Sequence, residues 1–436
     1  MSISWRRNSY LVLITCSLSL SACGIQDLKE DLEIVTEGYG YLKARASDAD
    51  VGASILVALV RKDNDGDAIA NARSVGLDEP FYVLVSKADY TLLAFSDSNG
   101  DFSYQPGEPA AMIEDPVINW FRDMEGQKRV DYDALEIQAI ELSSATVLDQ
   151  SLDLSVASLR TSSKAADNFL EVVTWEHEAF SAENKALGMW QPGAFQEQVG
   201  YGLYLLEEFD PAKKSIVLVH GIDDTPLVFT SMVEVIPDDY QVLLFHYPSS
   251  FPLEYTSYVL NETLDELVRR YELPQVDVMA HSMGGLVSKG MIYQADETLR
   301  EKMDIFISVA SPYGGHTAAA AGLKWSPVIA PVWWAMAPGS EYLTTIDSVD
   351  LTNRPEHHLI YTYSQETGGP REKDDGVVSV ESQLADSAQK NAIAIYGVAD
   401  NHVGVMHNAC VTDLVGSILS GDGAGEAAPD CQFEQQ

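Results

Sequence analysis

The sequence predicts an α/β architecture, a mostly parallel central sheet with helices on both faces, preceded by a β-sandwich-like domain. Three observations point there. From Lys214 onward short apolar runs alternate with amphipathic stretches, the text of buried strands joined by helical crossovers. Between about residues 30 and 160 the runs are short, β-prone and punctuated by turn signals. In "VDVMAHSMGGLVSKG", residues 276–290, a serine between small residues directly follows a buried-strand run.

Taken in order, the chain opens with Arg6 and Arg7 ahead of "YLVLITCSLSL", an apolar stretch too short to be a comfortable membrane span. It ends in Leu20-Ser21-Ala22-Cys23, which resembles a bacterial lipobox. That resemblance implies removal of residues 1–22 as a signal peptide and acylation of Cys23. With Gly24 rather than an aspartate next, it also implies export and anchoring at the outer membrane, on either face. Several acyl chains would hold far more firmly than one. The other reading is an ordinary signal peptide that leaves Cys23 a plain thiol. Residues 23–29 then read as a linker. Cys410 and Cys431 are the cysteines left over; in an oxidising compartment they would close a loop worth ~3 kcal/mol. Two free thiols are the alternative, because spacing does not say whether their Cα atoms approach.

Residues 30–160 read as a β-rich accessory domain, with "ASILVALV", "PFYVLVSK", "YTLLAFSD" and "ALEIQAIEL" as strands. "LLAFSDSNGDFSYQPGEPA" resembles the strand-turn-strand of carboxypeptidase-regulatory-like modules. Its Asp-rich turn and "DNDGD" invite a calcium reading, but neither sets a glycine sixth as an EF-hand loop requires, so simple turns are expected. Residues 161–418 read as the α/β domain. A helical stretch is expected from "SSKAADNFLEVVTWEHEAF", then an early strand in "GYGLYLLEEFDP". The main strands are "SIVLVHG", "QVLLFHYPSS", "VDVMAHS", "IFISVASP", "HHLIYTYSQ" and "AIAIYGV". In "YVLNETLDELVRRY" Leu260, Leu264, Leu267, Val268 and Tyr271 share one helical face. The tail is 419–436; its stretch "SGDGAGEAAPD" is low in bulky residues and reads as loose, apart from whatever Cys431 ties down.

Acidic residues number 66 against 27 basic ones, a net charge of −39. Such a surface repels nucleic acid, which is excluded as a partner.

The chemistry centres on Ser282. A nucleophile at a strand tip needs a sharp turn whose flanks carry only small side chains, here Ala280 and Gly284. Alanine stands where the usual G-x-S-x-G pattern has glycine, and it meets the steric demand nearly as well. In "SIVLVHGIDDTP" a strand ends in His-Gly, and the loop beyond can aim a backbone N–H at a developing oxyanion. Ile222 would supply one donor and Met283, after the serine, the other, with His220 holding the loop. Loops beyond two later strands carry "REKDDGVVSVES" and "ADNHVGVMHN".

Together "VHGI", "AHSMGGL", "ASPYGG", "DDGVVS" and "NHVGV" resemble the lipase and esterase branch of the α/β-hydrolase superfamily. Bacterial triacylglycerol lipases and PGAP1-like esterases are the nearest in text. The resemblance covers roughly residues 200–418 and implies an α/β-hydrolase fold. It also implies a carboxylic ester hydrolase with Ser282 as nucleophile, Asp375 as acid and His402 as base, needing no cofactor or metal. Asp374 stands where the family has asparagine and stays open as the acid; His407 stays open as the base. His177, His246, His281, His316, His357 and His358 show no metal-ligand spacing and are expected to be structural or surface residues.

Between two strands lies "GGHTAAAAGLKWSPVIAPVWWAMAPGSEYL", with 316–345 a candidate lid or cap. Trp325, Trp333 and Trp334 would line an acyl pocket for an ester or lipid substrate, or else pack the cap on its own domain. The same catalytic set would also serve a thioesterase, amidase or acyltransferase, and a surface-binding lipoprotein without activity is the remaining alternative.

Overall fold

The computed structural model describes residues 24–35, 38–47, 54–62, 67–78, 80–120, 134–148, 152, 154, 168–348, 351, 355–364, 374–421 and 434–435. Cys23, the signal segment and Cys431 lie outside these.

Two small sheets, one mixed and one antiparallel, form the N-terminal region. Strands β1 (Tyr39–Ser47), β2 (Ser54–Lys62), β3 (Ala68–Val75), β4 (Pro80–Ser86), β5 (Asp89–Asp97), β6 (Ala110–Glu114), β7 (Asn119–Trp120) and β8 (Ile137–Glu141) build them. One has the order β4-β1-β7, with β8 parallel to β1; the other runs β3-β2-β5-β6. Alternate residues Leu42, Ala44 and Ala46 of the first meet Ile55, Val57 and Leu59 of the second in one core, the packing of a sandwich.

The rest is a nine-stranded sheet of β9 (Asn168–Val172), β10 (Gly202–Leu205), β11 (Lys214–Val219), β12 (Tyr240–His246), β13 (Val276–His281), β14 (Ile305–Val309), β15 (Glu356–Thr362), β16 (Ala392–Val398) and β17 (Glu434–Gln435). Its order is β17-β16-β15-β14-β13-β11-β12-β10-β9. The block from β12 to β16 is wholly parallel, while β10 and β17 join it antiparallel. This is the α/β-hydrolase fold, with a crossover order that brings β11 between β12 and β13. Both faces are buried because the strands alternate between two cores. Val217 and Val219 pack beneath the Leu253–Tyr271 and Met283–Gln294 helices. Ile216 and Leu218 pack beneath the Ala409–Ser420 helix. On the Leu253–Tyr271 helix the expected face is inward, with Leu260, Leu264 and Leu267 fully buried.

Two expectations need correction. Residues 168–172 are strand β9, not helix: "NFLEV" pairs parallel with β10, and among the described residues of this stretch α-helix begins only at Ala182, after a 3-10 turn at Glu178–Phe180. A local apolar run does not disclose a strand partner more than thirty residues away. Residues 24–35 are helical where a linker is expected at the start. Leu28 and Val35 are buried there, and the Asp31 carboxylate accepts the Gly193 and Ala194 N–H groups at 2.8 and 3.1 Å, capping the Pro192–Gln198 helix from a distance. In the tail, Glu434–Gln435 pairs with the outer edge of β16.

The sandwich leans on the Leu253–Tyr271 helix. Edge strand β4 turns its outward N–H groups to tyrosine hydroxyls, Tyr82 to Tyr258 at 2.7 Å and Leu84 to Tyr255 at 3.2 Å, which covers an otherwise open edge. Arg73 pairs with Glu262, and Arg270 donates to the Leu154 carbonyl at 2.9 Å.

Candidate active site

At the end of β13 the chain turns through Ser282 at φ 55°, ψ −127° into the Met283–Gln294 helix. Such a backbone is strained for a non-glycine residue, at a cost of ~1–3 kcal/mol, and lifts the side chain out of the sheet. The turn is tight because its neighbours are small. A Cβ on Gly221 would stand 2.9 Å from the Ser282 Cβ, and one on Gly284 would run into the Val219 carbonyl. Ala280, by contrast, sits fully buried in β13 between Val219 and Ser308, so its methyl is accommodated by the core.

Three loops beyond strand ends meet here. His402 Nε2 lies 2.9 Å from Ser282 Oγ, and His402 Nδ1 lies 2.7 Å from Asp375 Oδ2. A carboxylate only accepts, so Nδ1 carries the ring proton and Nε2 is left to accept from the serine hydroxyl. All three residues are buried. Asp375 also accepts from Thr362 Oγ1 at 2.6 Å, from the Val377 and Val378 N–H groups at 3.0 and 2.7 Å, and from Gln383 Nε2 at 3.3 Å, while Gln383 Oε1 accepts the Thr362 N–H at 2.8 Å. Burial alone would push its carboxyl up, but the His402 ring, Thr362 and Val378 outweigh it and hold the group below the usual carboxylate range.

The two alternatives point elsewhere. Asp374 accepts the Gly376 N–H at 3.0 Å, and exposed His407 contacts Ser231 Oγ through Nδ1 at 2.8 Å.

On the other side of the serine lies the loop after β11. Its Asp223 N–H donates to Ser249 Oγ at 3.0 Å, and the Tyr247 hydroxyl donates to the His220 carbonyl. His220 stacks on Tyr247 at 4.3 Å and reaches His246 Nδ1 through Nε2 at 3.0 Å. Its Nδ1 is 2.9 Å from the Gly221 carbonyl, and His246 Nε2 is 2.9 Å from the Ala179 carbonyl. Burial drives both rings towards neutrality: it pushes His246 down to about 3, and together with neighbouring His246 it holds His220 well below the ordinary histidine value. Both histidines thus serve the shape of the loop. The N–H groups of Ile222 and Met283, flanking Ser282, have no acceptor among the described residues.

Sequence reasoning did not find Thr362, Gln383, Tyr247 or Asp224. Asp224, two residues beyond Ile222, is pushed up to about 6 by burial. Thr362 had one visible signal, a polar residue closing an apolar strand; Gln383 had none.

The segment expected as a lid or cap forms the Thr317–Trp325, Val332–Met336 and Glu341–Ile346 helices. His316 Nε2 donates to the Val377 carbonyl at 2.9 Å, fastening the cap to the acid's loop. Buried Tyr342 donates to the Leu286 carbonyl, and Lys289 reaches Asp347 at 2.7 Å. The tryptophans separate: Trp333 packs against Gly322 between two cap helices, Trp334 is half-buried, and Trp325 is 76% exposed. Cys410 is disulfide-bonded.

Among the described residues no three His, Cys, Asp or Glu side chains converge as a metal site, and no helix is long and apolar enough to cross a membrane.

No family model and no curated protein matches the sequence. Solved structures do. Lipase B of Aspergillus fumigatus aligns with TM-score 0.39 and 17% identity over 52% of this chain, which spans 57% of that one. The mature lipase BlEst2 of Bacillus licheniformis gives 0.36 and 16%, covering 46% of this chain and 89% of its own. Phospholipase PlaB of Legionella pneumophila gives 0.33 and 14%, covering 39% and 44%.

Proposed function

We propose that this protein is a serine hydrolase of carboxylic esters, acting on acyl or lipid esters through a Ser282–His402–Asp375 triad. One observation carries the reading: the unbroken hydrogen-bonded line from Ser282 Oγ through the His402 ring to Asp375. In the reaction Ser282 Oγ attacks the ester carbonyl carbon while His402 Nε2 takes its proton. Asp375 holds the ring in the required tautomer and stabilises its positive form. The carbonyl oxygen, now negative, accepts from the Ile222 and Met283 N–H groups. His402 then gives its proton to the departing alcohol, leaving an acyl-serine. Water, deprotonated by the same ring, attacks that ester and frees the acid.

An apolar substrate is supported by what borders these loops. Val403 follows the base, Val377 lies two residues after the acid, and Leu227 lies in the turn beyond the oxyanion loop; all three are exposed, as is Trp325 on the cap. Large apolar side chains left exposed next to the residues assigned to the reaction are read as the acyl-binding surface. Trp325 and Trp334 are the tryptophans assigned to acyl contact, Trp333 being taken up in packing. Acylation of Cys23 at the outer membrane would hold the site beside its lipid substrate, and a Cys410–Cys431 bond would fit an oxidising compartment.

A p-nitrophenyl ester series from short to long acyl chains, run on soluble protein without the lipidated cysteine, tests the substrate class. Activity is expected to rise with chain length. Activity confined to the shortest esters would remove the acyl surface from the account.

A further inference from the structure

We propose that His281 is a positioning residue for the reaction: its Nε2–H, donated to the His402 carbonyl, clamps the loop that carries the base to the strand end that carries the nucleophile. The proposal rests on the roles given above to Ser282 and His402. His281 is the last residue of β13, directly before Ser282. Its Nε2 is 2.9 Å from the His402 carbonyl oxygen, and the two rings lie 4.9 Å apart at 43°. A carbonyl only accepts, so the proton sits on Nε2.

His402 itself belongs to no helix or strand, lying in the turn after Val398. Its N–H donates to the Asp375 carbonyl at 3.0 Å. Its two peptide groups are therefore held from opposite sides, one by the residue of the acid and the other by the neighbour of the nucleophile. The ring can meet Ser282 and Asp375 together only while both restraints stand.

The other nitrogen explains why a histidine at this place needs a reason. Nδ1 is buried with no hydrogen-bond partner among the described residues, an arrangement that costs stability and that an apolar side chain would avoid. Burial and the nearby His402 and His407 rings push His281 down to about 3, against the pull of the His402 carbonyl and Asp375. The ring is thus neutral, and what it retains is one fixed donor.

Two variants separate the clamp from simple packing. His281→Leu fills the space and donates nothing; His281→Gln keeps an N–H that can reach the same carbonyl. His281→Leu is expected to lower kcat on a p-nitrophenyl ester ~10²-fold with KM within about 2-fold, and to slow fluorophosphonate capture of Ser282 in parallel. His281→Gln is expected to recover to within ~5-fold of wild type. A loss below about 3-fold in His281→Leu, or equal losses in two variants that unfold at the wild-type temperature, overturns the clamp. Wild-type protein that fails to react with the fluorophosphonate refutes the serine-hydrolase reading instead. Histidine ¹⁵N spectra of the wild type then still read the clamp, and do so equally if His281→Leu fails to fold. A single proton on Nε2 from about pH 5 to 9 is expected, and a proton on Nδ1 or a charged ring overturns it.

Discussion

The two regions of this molecule use buried carboxylates in opposite ways. In the sandwich, Asp97 is buried, yet its partners are the N–H groups of Gly100, Asp101 and Phe102, all within its own turn. Glu108 likewise accepts from Ser98 and Gln105. The turn that invites a calcium reading has spent its carboxylate oxygens on its own backbone. In the α/β region, Asp375 binds a ring 27 residues away, and that ring binds a hydroxyl 120 residues away. A polar group whose partners are local shapes a turn. One whose partners come from several strand ends assembles a site. Residue type does not distinguish these uses, and neither does sequence distance alone, since Asp31 reaches Gly193 and Ala194 only to cap a helix; the chemistry of the partners does.

The largest test of that contrast compares neighbours. Asp375→Asn is expected to lower kcat ~10⁴-fold, because an amide leaves His402 without the acceptor that sets its tautomer. Asp374→Asn should stay within about 3-fold, since among the described residues its carboxylate serves only the Gly376 N–H. Steady-state kinetics on both purified variants would reverse the assignment if Asp374→Asn were the damaging change.

The sandwich supplies the converse. Asp97→Ala removes the acceptor that three N–H groups of its own turn share and should destabilise the protein by ~1–3 kcal/mol, with the specific activity of the folded protein unchanged. Calorimetry beside an ester assay would break the comparison if activity fell and the melting temperature did not.

Much of this was legible in the sequence where the physics is local. The parallel strands announce themselves because each must be apolar on both faces, and the elbow because only small residues tolerate its crowding. Strand β1 was not legible: Lys43 and Arg45 interrupt "YGYLKARAS", yet Lys43 is buried with its ammonium 5.7 Å from the Tyr82 ring. Its place in the middle of a sheet depends on β4 and β8, which follow much later. The tryptophans of the cap taught the same lesson, since composition supplies apolar area but does not say that Trp333 spends it on Gly322 while Trp325 keeps its own exposed. Of the site, the motifs pointed to Ser282, Asp375 and His402, whereas Thr362 and Gln383 are visible only once β15 and the acid's loop are folded together.

The smallest effect concerns a histidine outside the site. His357 is buried, stacks on Phe306 at 4.6 Å and contacts Ser308 Oγ through Nε2 at 2.8 Å. Burial, with Lys289 and His358 nearby, pushes it down to about 3. The unfolded chain takes up a proton near pH 6.5 that the folded chain refuses, so this contribution to stability is whole above that pH. It is lost as pH falls towards the folded value, by ~2 kcal/mol between about pH 6.5 and 5. His357→Gln should therefore lie below wild type in melting temperature at about pH 7.5, with the gap narrowing towards pH 5. A gap that stayed constant would mean that His357 takes up its proton over the same pH range in the folded and unfolded chains.

The central claim is that Ser282 is a nucleophile activated by partners drawn from distant loops. Mass spectrometry of the purified protein after treatment with a fluorophosphonate tests it most directly, with Ser282→Ala alongside. The account predicts one adduct, on the peptide carrying Ser282, absent from the variant although it unfolds at the wild-type temperature. An unmodified Ser282 in folded wild-type protein, or an adduct that persists in the variant, would contradict it.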